Sequence, residues 1–468
     1  MAIHLDLNTV HKLVGDNIEI NNKDGLSKIA LKSLVPLVFD KDVGNVTAYY
    51  DNTLAKLILT MAGIDSVYLD NTDLRFVNNP RFIQYLAGLK ANGGTEYLRV
   101  IEPSISPADF KSIIESASNK VVWLTPGTYI LTYDTTGISG YSVITLPQNC
   151  IIVAFGAEIK FRYSNTNGNF TQRFVRINQK GCVIMGGTWW VDRANSAGGS
   201  DPLRTLFYVD NGADPLFYKC RIANSSGATG VALSGSGTFG LFIGCLFKPV
   251  QNNYTDWQFL SVENGASIDV PGCVFDGHST EGNIRCSAGI VHSTQNIKTI
   301  IRCATFKHLA GGVKILFFDY GADLYYVHIS DCDFVEMRNV WSGDLSPIML
   351  WLFNTNRRLF DVTIENCKFE GGNSSSGQIG VPPYASYQYG LKNLVIRNCD
   401  FVASSAYGTA GYALYFPAYS EAPDTFDRKN EIAEISGCNI RGSYYYKPLN
   451  IHPDILANIG KFEVRIYS

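Results

Sequence analysis

From about Leu124 to Ser443, short stretches of alternating apolar and polar residues are broken by tight polar corners. Val327-His-Ile-Ser-Asp-Cys-Asp-Phe334, Val362-Thr-Ile-Glu-Asn-Cys-Lys-Phe369 and Leu394-Val-Ile-Arg-Asn-Cys-Asp-Phe401 share one plan. Ile268-Asp-Val-Pro-Gly-Cys-Val-Phe275 and Ala433-Glu-Ile-Ser-Gly-Cys-Asn-Ile440 follow it too. Period-two alternation buries one face of a strand. Asn, Asp or Gly then tolerates a left-handed bend, and Cys-x-Phe turns inward again. The unit reads as strand, corner, strand.

The unit recurs. Cys150, Cys182, Cys220, Cys245, Cys273, Cys303, Cys332, Cys367, Cys399 and Cys438 are separated by 32, 38, 25, 28, 30, 29, 35, 32 and 39 residues. Steps of this size mark a repeat protein whose coils keep their strands and vary a loop. Stacked coils bury these cysteines in an interior column as small, reduced hydrophobes. Cys286 falls outside the pattern. A second repeat precedes the corner: Tyr208-Val-Asp-Asn-Gly-Ala-Asp214, Ser261-Val-Glu-Asn-Gly-Ala-Ser267 and Phe317-Phe-Asp-Tyr-Gly-Ala-Asp323. Each coil therefore has at least three strands, one of which ends in Asp210, Glu263 or Asp319.

Ahead of the coils, Ser106-Pro-Ala-Asp109 caps a helix with Ser at the N-cap, Pro at the first helical position and an acid in the first turn. Phe110, Ile113, Ile114 and Ala117 form its apolar stripe, suited to plugging the open end of the stack. The fold class expected is all-β: a right-handed parallel β-helix with an N-terminal capping helix and a small mixed N-terminal domain.

The helix, the following Val122-Trp-Leu-Thr-Pro-Gly-Thr-Tyr129 and the Cys corners resemble the pectate-lyase-like β-helix of phage tailspikes and tail-fibre depolymerases. Tyr97-Leu-Arg-Val-Ile-Glu-Pro103 resembles the junction by which such spikes enter the helix. The resemblance covers about residues 97–445. It implies a homotrimer on a phage tail, assembled in the host cytoplasm, that binds and often cleaves a bacterial surface polysaccharide. It implies no shared catalytic motif. The Asn-Thr-Asp, Asp-Asp, Gly-His-Gly series of pectin-cleaving relatives is absent, and Asn71-Thr-Asp73 lies ahead of the coils. The chain divides into 1–96, attaching by family position to other virion tail proteins; 97–145, the junction, capping helix and first strands; 146–443, the β-helix; and 444–468, a short end segment that departs from the trimerisation domains of many tailspikes. Residues 1–96 read alternatively as an extension of the same fold. They include two stretches of helical spacing, 51–61 and 79–90.

Composition narrows the function. Of 468 residues 46% are hydrophobic, enough for a long core, and a net charge of −3 without a basic run excludes a phosphate-neutralising nucleic-acid partner. No run of 18 apolar residues exists to span a membrane, and Met1–Leu7 lacks the pattern of a secretory signal. No Cys/His cluster has zinc spacing, so neither metal nor cofactor is expected.

The candidate chemistry lies in the repeated carboxylates. With Cys as the coil counter, Asp210, Glu263 and Asp319 fall two coils apart. At a coil rise of about 4.8 Å each gap is about 9.6 Å, near the ~6.5–9.5 Å that separates the acid and base of inverting glycosidases. The alternative is that they only shape their Gly-Ala turns. Tyr254, Trp257, Tyr320, Tyr326 and Trp341 are candidate sugar-stacking rings; packing on the coil flank or between protomers is the alternative. His278, His292 and His308 read as structural rather than catalytic. Two functions stay open: a glycan depolymerase, hydrolase before lyase, and a non-catalytic virion adhesin or tail-fibre component.

Overall fold

The computed structural model describes residues 98–467 except 135–141, 166–171, 193–203, 224–227, 250–257, 278–287, 294–298, 310, 318–323, 338–345, 353–358, 381–390, 407 and 418–430; ahead of these it describes strands at 10–14, 17–22 and 25–30. The helical stretches 51–61 and 79–90, and Cys286, lie outside the described residues. The three early strands form an antiparallel sheet, with Asn17–Asn22 between the other two.

From Leu98 onward the chain is a right-handed parallel β-helix. One coil gives the plan: Gln258–Glu263 on face A, Ser267–Asp269 on face B, Val274–Asp276 on face C. The next coil stacks on it in register, Leu260 against Ile290 and Phe275 against Phe306. Face A is a sheet of 11 described strands, and faces B and C run together into one of 23. Strand pairing continues on both sides of residues 146–443. Leu98–Ile101 pairs with Val121–Leu124, and Lys461–Tyr467 with Glu431–Arg441.

The capping helix spans Pro107–Glu115. The Ser106 hydroxyl accepts from the Asp109 amide at 3.1 Å. Phe110, Ile114 and Ala117 are buried in the coil core, with Ile113 at its margin. Phe110 meets the ring of Tyr129, whose hydroxyl donates to the Ile101 carbonyl at 2.6 Å. The helix thus seals the first coil.

The cysteine column differs from the sequence reading in two ways. Cys220, Cys245, Cys273, Cys332, Cys367 and Cys399 each immediately precede a face-C strand, Cys438 takes the same register inside the continuous strand Glu431–Arg441, and the seven form one column. Each thiol points back to a carbonyl of the preceding coil, as Cys220 does to Ile184 at 3.3 Å and Cys273 to Phe242 at 3.4 Å. In the coil between Cys273 and Cys332 that place belongs to Ala304, since Thr305 pairs with both Val274 and Asp333. Cys303 takes the left-handed bend instead, with φ 52°, and is only half-buried. Cys150 and Cys182 precede face-B strands, at the other corner. Val183 pairs with Leu216, so the equivalent of Cys182 one coil on is Pro215, not Cys220. The cause is chemical: both corners need a left-handed residue followed by a small buried one. Asn149-Cys150 and Asn398-Cys399 therefore look alike, with φ of 54° and 52° at the Asn.

No disulfide joins the ten described cysteines, and burial pushes the Cys182 thiol up to about 12. A buried thiol held protonated does not react as thiolate. Among these ten, Cys303 is expected to be alkylated by iodoacetamide in the native protein, and the others only on unfolding. Peptide mass mapping before and after denaturant checks this.

Six phenylalanines complete the interior ladder. Phe247, Phe275, Phe306, Phe334, Phe369 and Phe401 stack with centroids 4.5–4.9 Å apart and rings within 9° of parallel. That spacing is the coil rise itself.

The outside of face B changes character along the stack. In Ile151-Ile-Val153, Val183-Ile-Met185, Leu216-Phe-Tyr218 and Leu241-Phe-Ile243 the middle residue enters the coil core. The flanking two join a separate apolar cluster. Strands apolar on both sides are covered on both sides. From Asp269 onward polar residues enter the outer positions, Asp269, His328 and Thr363 alongside Ile300 and Val395. Arg302 bridges Asp269 at 2.8 Å, and Glu365 receives Arg397 Nε at 2.5 Å and meets His328 Nε2 at 2.7 Å. The Arg397 hydrogen bond, outweighing burial, lowers the Glu365 carboxyl below its usual range. A depressed folded value stabilises above the unfolded pKa, about 4.3, and is lost as pH falls through the folded value. Acidification from about pH 6 to pH 3 should lower the melting temperature less in Glu365→Gln than in the wild type. Thermal scans across that range read the difference.

Candidate glycan-binding site

Two edges of the coil stack carry polar chemistry. The first is the turn from face A to face B. Asp210 follows the strand Arg204–Val209, and Glu263 ends Gln258–Glu263. Val209 pairs with Leu233, and Ser234 with Glu263, so Asp210, Ser234 and Glu263 occupy one column on successive coils. Asp210 and Glu263 are then two rises, about 9.6 Å, apart. Each is followed by a left-handed Asn-Gly pair, Asn211-Gly212 and Asn264-Gly265, which turns the chain and leaves the carboxylate at the rim.

The two acids have different surroundings. Asp210 is gripped at both oxygens by Arg176, at 3.1 and 2.8 Å, and this pairing raises the Arg176 guanidinium above its ordinary value. Glu263 is half-buried and accepts from Ser261 Oγ at 2.5 Å. Asn264 Nδ2 donates to Ser234 Oγ at 2.9 Å, so small polar groups fill the space between the acids. Asp319 lies outside the described residues. The register that pairs His292 with Ile315 runs on to Phe317 and stops before it.

The candidate rings divide between the edges. Tyr326 belongs to the first strand residues of face B. It is exposed, has φ 55°, and stands edge-on to His328 with centroids 6.3 Å apart. Tyr320 follows the same face-A strand as Asp319, outside the described residues. Tyr254, Trp257 and Trp341 also lie outside them. Trp257 directly precedes Gln258, the opposite end of the strand from Glu263. Five residues of strand separate the two ends by about 17 Å. Trp341 lies between the face-C strand Asp333–Met337 and the face-A strand Ile348–Leu352.

At that second edge, from face C to face A, sits a cluster that sequence reasoning missed. Buried Asp276 contacts His308 Nδ1 at 2.7 Å and Lys248 at 3.0 Å. His308 Nε2 meets half-exposed Glu336 at 2.7 Å. The ring of His308 thus bridges the two carboxylates through its two nitrogens. The signal was present: aligning repeats on Phe275, Phe306 and Phe334 puts Gly277, His308 and Glu336 in one column. Among the described residues no group of His, Cys, Asp and Glu has the arrangement of a metal site.

No family model matches this chain, and no curated protein does. Among solved structures it is similar to a tailspike protein of E. coli bacteriophage HK620 solved as a double mutant, with TM-score 0.45 and 13% identity, covering 73% of this chain and 64% of that one. A mutant of the same tailspike in complex with pentasaccharide gives TM-score 0.42 at 13% identity, covering 73% and 64%. The A-module of the Azotobacter vinelandii mannuronan C-5 epimerase AlgE6 gives 0.36 at 11% identity, covering 78% and 97%. The chain thus spans less than two thirds of the tailspike chains just named.

Proposed function

We propose that this chain is a tailspike-like receptor-binding protein of a phage virion that binds a bacterial surface polysaccharide and hydrolyses it. The observation that carries the reading is the column Asp210–Ser234–Glu263, with two carboxylates about 9.6 Å apart across small polar groups. In this reading Glu263 protonates the glycosidic oxygen as its bond to the anomeric carbon breaks. A water oxygen bonds to that carbon from the other face and gives its proton to the partner carboxylate, Asp210 or Asp319. Tyr320 and Tyr326 stack on sugars at this edge. Tyr254, Trp257 and Trp341 extend the glycan surface. Residues 1–96 attach the protein to other virion tail proteins, and the coils associate as a homotrimer.

One observation favours the second reading, an adhesin without catalysis: Arg176 occupies both oxygens of Asp210. Incubation with purified host surface polysaccharide separates the two. New reducing ends and falling viscosity are expected of the hydrolase, and binding without release is the result that transfers the assignment to the adhesin.

A further inference from the structure

The edge that carries Asp210 and Glu263 continues, toward the capping helix, into an open pocket. Leu146 pairs with Ile177, and Ile177 with Val209, so Pro147 and Asn178 stand in the column of Asp210, two coils and one coil ahead of it. There the turn residues Pro147, Gln148, Asn178 and Gln179, with Thr145 and the last helical residue Glu115, line a space of about 480 Å³. Small-ligand sites run from ~300 to ~1,000 Å³. From Pro147 along the column to Glu263 is four rises, about 19 Å, so the pocket and the carboxylates can lie on one extended chain.

The lining suits hydroxyl groups. The amides of Gln148, Asn178 and Gln179 each offer donors and an acceptor. Asn178 Oδ1 is buried without a hydrogen-bond partner, a state that buried polar atoms rarely keep and that a ligand hydroxyl would end. Glu115 receives Lys111 Nζ at 2.6 Å and the Thr145 amide at 3.0 Å, both at Oε1, which leaves Oε2 to accept.

Charge narrows the class of sugar. The lining holds one carboxylate and no cation. Arg176, paired with Thr145, is committed to both oxygens of Asp210. Lys111 donates to Glu115 and to the Val143 carbonyl. Lys180, one residue past Gln179, is exposed and stands outside the lining. An acidic sugar would set its own charge against Glu115 here, and against Asp210 and Glu263 further along the column. We infer that this pocket is a subsite for a neutral, hydroxyl-rich sugar residue, at the end of a glycan path that runs along the column to Glu263. The inference rests on the glycan-binding part of the proposed function and not on hydrolysis.

The test uses the full-length protein and purified host surface polysaccharide, with binding followed by calorimetry. Gln148 and Gln179 are exposed, so the double variant Gln148→Ala/Gln179→Ala should keep the wild-type melting curve. Its affinity should fall about tenfold, as expected for two lost hydrogen bonds. Wild-type affinity should change little between about 0.05 and 0.5 M NaCl, because no ion pair to the glycan is screened. Oxidising the primary hydroxyls of the same polysaccharide to carboxylates should weaken binding, with part of the loss recovered in high salt. Unchanged affinity in the double variant overturns the subsite and leaves glycan binding itself in place. A bound polysaccharide whose repeat carries uronate, sialate or phosphate, and which salt releases, overturns the neutral class. A wild-type protein that binds no host polysaccharide overturns the glycan reading, and the subsite with it.

Discussion

Glu263→Gln should lower sugar release by a factor of about 10²–10⁴ while glycan binding survives. The amide keeps the shape of the side chain and its place beside Ser261, but can no longer deliver a proton. Glu263 is the residue to replace because the alternatives are constrained. Asp210 is held at both oxygens by Arg176, and Ser234 between them has no acid function. The measurement is reducing-end formation under saturating polysaccharide, beside a binding isotherm and a melting curve. Wild-type release at wild-type stability would remove Glu263 from the chemistry and return the acids to shaping their Asn-Gly turns. Asp276→Asn provides the contrast. If sugar release falls there and not at Glu263, the working edge is the one that carries His308 and Glu336.

The second large effect is on stability. Phe306→Ala should cost about 3–5 kcal/mol, the range for deleting a buried aromatic ring. Phe306 is fully buried between Phe275 and Phe334, each 4.8 Å away and within 6° of parallel. The opposite wall offers no side chain to refill the hole, because it is Gly289, where an added Cβ would stand 2.8 Å from the Phe306 ring. In a long solenoid the loss is felt by the neighbouring coils rather than by the whole molecule at once. It is best read as a shortened half-life at elevated temperature. Phe306→Leu, which refills most of the volume, should lose much less. Equal half-lives for Phe306→Ala and the wild type would mean that the ladder contributes little.

The repeat was legible because burial writes itself into sequence at every coil. Alternation gave the strands, the left-handed residue gave the corner, and Ser106-Pro107 gave the cap. What the sequence left ambiguous is which corner. Asn149-Cys150 and Asn398-Cys399 solve the same backbone problem at different edges, so counting coils by Cys moved Cys150 and Cys182 into the wrong column and hid Ala304 in the right one. The carboxylate column was legible in part: Asp210 and Glu263 share a register with Ser234, but nothing in the sequence marks Arg176 as the partner of Asp210 from the neighbouring coil. The Asp276–His308–Glu336 trio went unseen because its members are about thirty residues apart and meet only through stacking.

The thiol ladder also makes each coil a unit of length. Excising residues 333–367 joins Cys332 to Lys368, so the chain leaves one rung and continues from the next. Phe369 then inherits the seat of Phe334, above Phe306, and the prism shortens by one rise, about 4.8 Å. A cut of similar size from Cys182 to Arg221 has no such outcome. It joins the corner before face B to a strand of face C, and that coil loses one of its three walls. Growth or loss of whole coils is therefore permitted only between rungs of the same column, which allows the spacing between the two ends of the molecule to change in discrete steps without altering any wall that remains.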